Sequence, residues 1–368
     1  MNLPASLTRR RFLATTAAAA TAAQFARAAA GEPRTLGFAL VGIGRLTMGQ
    51  LLPAFAECRL ARPVALVSGH PDKAREQAQR YGVDPKNIYN YENFDAIADN
   101  PAIDVVYVVL PNSMHAEYTI RAAQAGKHVL CEKPMANSVA DCQAMIDACR
   151  AASRKLMIAY RMRYEPMTQR AIELAQSPEA VGAIRHITAE AGFAIGDPNQ
   201  WRLKKDMAGG GPLMDMGIYA VNAARYLSGQ EPVEVVATSF ATPGDPRFAE
   251  VEETLALEMR FPENFIASCL TTYNFNCNRF CVYGERGRLE AEPFQGYGGN
   301  RLFQVGRNGR QEVTYEPVNH FAAEMDDFCT CILADRESRT PGEDGLQDIK
   351  ILTAAYESAR TGQAVKLA

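Results

Sequence analysis

Three residue types at separated places could together move a hydride and a proton. Lys133 stands between Glu132 and Pro134, directly after the apolar run Lys127–Cys131. A lysine there offers a fixed cation at the end of a buried strand. Asp215 and Tyr219 follow the glycine run Gly209-Gly210-Gly211, and their spacing puts both on one face of a helix. A tyrosine beside a cation can exchange a proton, because a positive neighbour favours the phenolate. Lys133 is therefore the candidate cation and Tyr219 the candidate acid–base. Asp215 is the candidate partner of the ammonium or of a substrate hydroxyl. Such a set suits oxidation of a hydroxyl-bearing carbon, in which hydride goes to a nicotinamide and the hydroxyl proton goes to the protein.

That chemistry requires a dinucleotide site, and the first third of the chain has the pattern for one. Leu36–Val41 reads as a buried strand, Gly42-Ile43-Gly44-Arg45-Leu46-Thr47 as a turn, and Met48–Ala56 as a helix. The first glycine permits the tight turn, and the second lets backbone N–H groups approach a pyrophosphate at the helix N-terminus. Thr47 stands where a third small residue is usual. A second strand, Pro63–Val67, ends in Ser68 with Lys73 close behind. A carboxylate there would hold a ribose 2′-hydroxyl. A hydroxyl and an ammonium suit a 2′-phosphate instead, so NADP is expected over NAD. Strands at Val105–Leu110 and Lys127–Cys131 end in Pro111-Asn112-Ser113-Met114-His115 and Glu132-Lys133-Pro134. Ligands of open α/β sheets bind at such carboxyl ends. The expected cofactor residues are Gly42, Gly44, Arg45, Leu46, Ser68, Lys73, Leu110, Asn112, His115, Glu132 and Lys133.

Taken with the Gly42 turn, the segments Pro111–His115, Cys131-Glu132-Lys133-Pro134 and Gly209–Tyr219 resemble the glucose–fructose oxidoreductase and inositol dehydrogenase superfamily. Many members have His where Tyr219 stands and Asp where Asn222 stands. The Tyr219/Asn222 variation is similar to the branch acting on glucose–fructose and aldose–aldose sugar pairs. The resemblance covers essentially the whole chain after residue 30. It implies an NADP-dependent sugar oxidoreductase that oxidises an aldose, such as glucose to gluconolactone, and passes the hydride to a second sugar, such as fructose to sorbitol. A simple NADP-linked sugar dehydrogenase and a non-catalytic sugar or cofactor sensor are the alternatives. The intact Lys133, Asp215 and Tyr219 speak against a pure binder. Arg161 and Tyr164, after a short strand Leu156–Tyr160, and Trp201 and Arg202 are expected to line the sugar pocket. Aromatic rings pack on sugar C–H faces, and arginine donates several hydrogen bonds to hydroxyls.

The expected fold is α/β. A Rossmann-like domain over residues 31–160 precedes an α+β domain over 161–342 with an open, mostly antiparallel sheet. The resemblance implies that a last helix within 343–368 returns to the first domain. Alternating strands are predicted at Ile184–Glu190, Val233–Phe240, Val251–Arg260, Phe265–Thr272, Arg279–Tyr283, Arg288–Ala291 and Arg301–Val305. Helices are predicted at Phe321–Asp335 and Gly345–Thr361. The resemblance assigns the second sheet to sugar binding and subunit packing, implying a homo-oligomer, dimer or tetramer.

Composition bounds the partners. With 39 Lys and Arg against 42 Asp and Glu, nothing marks a nucleic-acid or membrane-surface binder. Nine cysteines without paired C-x-x-C spacing and five scattered histidines point to buried thiols and no metal site. Residues 1–30 read as a twin-arginine signal peptide: Arg9-Arg10-Arg11, an alanine-rich middle, then small residues at Ala26, Ala28 and Ala30. Export of an already folded protein to the periplasm is expected.

Overall fold

The apolar runs of the first third become a six-stranded parallel sheet in the computed structural model of the protein, which describes residues 34–262 and 265–367. Its strands are β1 (Leu36–Val41), β2 (Ala61–Val67), β3 (Ile88–Tyr89), β4 (Val105–Val108), β5 (His128–Glu132) and β6 (Leu156–Ala159). Their order is β3-β2-β1-β4-β5-β6. Every residue of β1 is buried, as a strand covered by helices on both faces must be. The order reverses at β1, so a crevice opens beyond the carboxyl ends of β1 and β4. The expected signal peptide lies outside the described residues.

The second sheet has nine strands: β7 (Ile184–Gly192), β8 (Glu234–Phe240), β9 (Thr254–Arg260), β10 (Ile266–Thr272), β11 (Cys277–Gly284), β12 (Arg288–Ala291), β13 (Leu302–Gly306), β14 (Gly309–Val313) and β15 (Val365–Lys366). The order is β14-β13-β12-β11-β7-β10-β9-β8-β15, and among its neighbours only β7 and β10 run parallel. It is the open, mostly antiparallel sheet that the alternation predicts. β9 shows why: its even-spaced Leu255, Leu257 and Met259 are buried, while Ala256, Glu258 and Arg260 between them face out. β14 and β15 escape sequence reading. Gly309-Arg310-Gln311-Glu312 is wholly polar, and β15 is two residues long.

The predicted boundary at residue 342 needs correction. The helix His320–Leu333 buries its apolar stripe on the first sheet, although its Phe321 ring also meets Tyr297 at 5.6 Å. Its Phe321, Met325, Phe328 and Cys329 share a core with Phe38, Leu40, Tyr107 and Met157 of the first sheet. An apolar helix stripe buries where the matching sheet face is uncovered, whatever its place in the chain. The helix Gly342–Thr361 packs on the helix Val139–Ala151 and on β6 of the first domain. Gly342 and Gly345 lie against Ile146, Leu156, Ile158 and Met135, where a Cβ would come within 2.8–2.9 Å of those side chains. The same helix packs on β8, and β15 beyond it joins the second sheet. Residues Leu36–Ala368 therefore form one compact unit rather than two loosely tethered domains.

Candidate active site

The dinucleotide turn follows β1 as the spacing requires. Gly42 has φ +97°, and a Cβ there would lie 2.2 Å from the Val109 carbonyl oxygen, so only glycine fits. Gly44 faces open space, with no atom within 4 Å of where its Cβ would be. Arg45 is exposed and Leu46 half-buried beside it. The helix does not start as a regular α-helix. Thr47–Leu51 is a π turn, followed by Leu52–Ala54. The Thr47 hydroxyl, buried in the third motif position, donates to the Gly42 carbonyl at 2.6 Å. A third glycine is thus replaced by a threonine that satisfies its own hydroxyl. At the end of β2, Ser68 is buried and its Oγ accepts from the His70 amide at 3.1 Å. Lys73 reaches back to the turn, with Nζ 3.5 Å from the Ile43 carbonyl oxygen. An open glycine cradle with a lysine folded over it and no carboxylate at the strand end fits a dinucleotide.

Three of the expected cofactor residues have their side chains engaged within the protein. Both ring nitrogens of His115 lie 2.8 Å from carbonyl oxygens, those of Pro134 and Leu110, and the ring is buried. It ties the end of β4 to the loop after β5 and has no nitrogen free for a ligand. The Glu132 carboxylate is buried and accepts from the Tyr107 hydroxyl at 2.8 Å. Asn112 is buried too, its amide donating to the Ala208 carbonyl at 2.9 Å across to the second domain's segment. These side chains hold the strand ends in place. Leu110 stays beside the turn, its Cδ2 3.0 Å from the Gly42 Cβ position.

Lys133, Asp215 and Tyr219 do meet. Lys133 leaves the end of β5, and Asp215 sits on a second π turn, Leu213–Gly217, that feeds the helix Ile218–Ser228 bearing Tyr219. Lys133 Nζ donates to the Asp215 carbonyl oxygen at 2.7 Å and lies 3.4 Å from its Oδ1. Arg202 Nε and the Tyr273 hydroxyl each donate to Asp215 Oδ2 at 3.0 Å. Burial would push the Asp215 carboxyl up, but Arg202, Lys133 and Tyr273 outweigh it and hold it at about 2. Burial would likewise push the Lys133 ammonium down, and the facing Tyr219, Asp215 and Glu132 raise it instead. Asp215 is an ionised anchor and Lys133 a permanent cation.

The cation at the Tyr219 oxygen is not the one the sequence suggests. Lys133 lies over the ring face, 4.7 Å from the centroid. Arg161 reaches the hydroxyl: its Nε donates to Tyr219 Oη at 3.2 Å. Its other donors hold the Gln295 and Gly296 carbonyls at 2.6 and 3.1 Å, and Tyr297 lies on it at 4.9 Å. Arg161 fills one lone pair of the Tyr219 oxygen, so the phenolic proton points away from the guanidinium. Trp201 is half-buried with the Arg202 guanidinium 4.7 Å from its ring, beside Asp215. Tyr164 is not brought to this cluster. It is buried in the first-sheet core with its hydroxyl on Asp327 at 3.0 Å. Tyr273 and Tyr297 were not legible. Tyr273 follows an ordinary strand, and Tyr297 sits in a glycine-rich loop with no helix or strand to mark it.

Comparison with known proteins agrees with this geometry. Residues 36–160 match the model of the oxidoreductase family with an NAD-binding Rossmann fold, and residues 169–290 match that of the GFO/IDH/MocA C-terminal domain. The chain is 33% identical to D-xylose 1-dehydrogenase [NADP(+)] of Haloarcula marismortui, covering 90% of this chain and 92% of that one. Among solved structures it resembles aldose–aldose oxidoreductase from Caulobacter crescentus, complexed with glycerol, at 46% identity and TM-score 0.89. That match covers 91% of this chain and all of the other (100%). Levoglucosan dehydrogenase in complex with NADH and levoglucosan matches at 25% identity and TM-score 0.79, over 90% of this chain and 99% of that one.

Proposed function

Since the chain belongs to the GFO/IDH/MocA family of NAD(P)-dependent sugar oxidoreductases, we propose that it carries hydride from one aldose to a retained NADP and on to a second sugar. The observation that carries the reading is the meeting of Lys133, Asp215, Tyr219 and Arg161 just beyond the carboxyl ends of β5 and β6. The nicotinamide, when bound, accepts the hydride and gives it up again. Tyr219 takes the anomeric hydroxyl proton of the donor and returns one to the acceptor carbonyl. Lys133 and Arg161 stabilise its phenolate, and Asp215 fixes Lys133 and Arg202 where sugar hydroxyls arrive. Ser68 and Lys73 favour the 2′-phosphate of NADP over the bare ribose of NAD.

The likeness to aldose–aldose oxidoreductase favours a second aldose as acceptor over fructose. The twin-arginine pattern, read as an address to the periplasm, supports the same conclusion. A dissociable cofactor would be lost outside the cytoplasm, so the oxidant must be another sugar. A dehydrogenase with exchangeable NADP is the second reading, favoured by the xylose dehydrogenase relative.

One experiment separates them. The purified native protein is gel-filtered, its bound nicotinamide identified by mass, and glucose or xylose added alone. A retained cofactor gains reduced-nicotinamide absorbance once, and a second aldose or fructose then discharges it. Loss of all nicotinamide on gel filtration, with turnover only on adding NADP, would establish the dehydrogenase. Equal use of added NAD and NADP would refute the assignment of Ser68 and Lys73.

A further inference from the structure

Behind Arg161 lie two carboxylates that the reaction does not use. Glu324, on the helix His320–Leu333, is completely buried, and neither carboxyl oxygen has a hydrogen-bond partner among the described residues. Glu132, at the end of β5, is buried too and accepts from the Tyr107 hydroxyl at 2.8 Å, and both carboxyls act on that tyrosine and Glu132 on Glu324. Arg161, also buried, sends its hydrogen bonds to a phenol oxygen, a thioether and two carbonyls, none of which carries a full negative charge at rest. A buried guanidinium needs a counter-charge, while two adjacent buried carboxylates cannot both ionise.

We propose that Glu132 and Glu324 form an acid pair that holds one proton and one negative charge, and that this charge balances Arg161 against Tyr219. The pair, rather than either carboxyl alone, thus positions charge for the sugar chemistry, and the inference rests on the reading of Tyr219 as acid–base. Burial drives the Glu324 carboxyl well above the usual range, repulsion from Glu132 adds to this, and Arg161 opposes it. Burial also raises Glu132, while Lys133, the Tyr107 hydroxyl and Arg161 pull it back. The titratable groups facing the pair are Tyr107 and Cys131 from the sheet, Lys133, Arg161 and Tyr164 after β5 and β6, Tyr297 from the second domain's loop, and Asp327 on the helix of Glu324, with His320 on that helix facing Arg161. His320 lies one turn before Glu324, and burial and Arg161 lower it to about 4, so it is neutral. Of the positive groups facing the pair, Arg161 is the one without a carboxylate partner among the described residues, since Lys133 is held by Asp215.

Two readouts test the pair. Infrared spectra of the native protein at mildly alkaline pH should contain a protonated-carboxyl band that Glu324→Gln removes. This holds whether or not the protein oxidises aldoses. In the aldose half-reaction, Glu324→Gln should leave the rising limb of the pH–rate profile in place, because Glu132 keeps the charge. The double variant Glu132→Gln/Glu324→Gln loses that charge. Unbalanced, Arg161 then favours the phenolate, and the limb should move about half a pH unit or more to lower pH. No band lost in Glu324→Gln, or a limb shifted as far by Glu324→Gln as by the double variant, overturns the proposal. Absence of any aldose half-reaction in the native protein would instead defeat the functional reading, while the infrared band still decides the pair.

Discussion

Proton transfer in this site is divided among residues with distinct charge states. Asp215, held at about 2, is ionised throughout the working range. Its folded value lies below the ordinary carboxylate value. The stabilisation it brings is therefore full above about pH 4 and is lost only as pH falls through about 2. It can neither donate nor take the proton at neutral pH, which leaves Tyr219. Tyr219→Phe should slow both half-reactions about 10²–10⁴-fold, the usual worth of a positioned acid–base group. NADP binding should survive, since the ring that Lys133 faces remains. Single-turnover absorbance checks this, and a half-reaction within a few-fold of native would remove Tyr219 from the role. Lys133 and Tyr219 were readable from residue type and place in the chain. Arg161's bond to the phenol was not, because it joins residues 58 positions apart.

At the scale of elements, both ligand-facing turns begin with a π segment, Thr47–Leu51 and Leu213–Gly217. Such segments are rare and concentrate at functional sites, where the extra residue per turn re-aims side chains. The second is held by Glu252, whose carboxylate accepts from the Gly211 and Leu213 amides at 2.9 and 3.1 Å and from Tyr356 at 2.9 Å. Glu252→Ala strands these buried donors and should cost about 1–3 kcal/mol of stability. By loosening the turn that carries Asp215, it should also lower kcat. Thermal melts and turnover measure both, and an unchanged kcat would show that the turn holds its shape without Glu252. Helical spacing alone predicted that Asp215 and Tyr219 share a face. It could not predict the π turn, whose start donates hydrogen bonds to a carboxylate from a distant loop.

For the whole molecule, the helix Ile218–Ser228 is locked to the C-terminal helix. Arg225 holds Asp344 and Asp348 at 2.8 and 2.6 Å, and Asn222 donates to Asp348. The helix bearing Tyr219 is thus tied to a helix that also packs on the first domain. The proposed twin-arginine address would carry this compact unit already folded. Arg9→Lys with Arg10→Lys should leave active, unprocessed protein in the cytoplasm, and cell fractionation with an activity assay reads this. Normal recovery of that double variant from the periplasm would mean that the arginine pair is not the address.

What the chain determined alone was local. The run Leu36–Val41, the Gly42 turn and the alternation in β9 each follow from backbone conformation and burial period, which depend on near neighbours. The placement of Lys133 and Asp215 was legible for a related reason: strand ends and helix faces are aimed by the elements they sit on. Only the tertiary structure decided that His115 and Glu132 are inner supports, that Tyr164 faces the core, that Arg161 reaches the Tyr219 hydroxyl, and that Tyr273 and Tyr297 complete the site. Those assignments depend on which buried polar group finds which partner. Partner choice in the interior is set by desolvation across chain-distant contacts, which no spacing rule records.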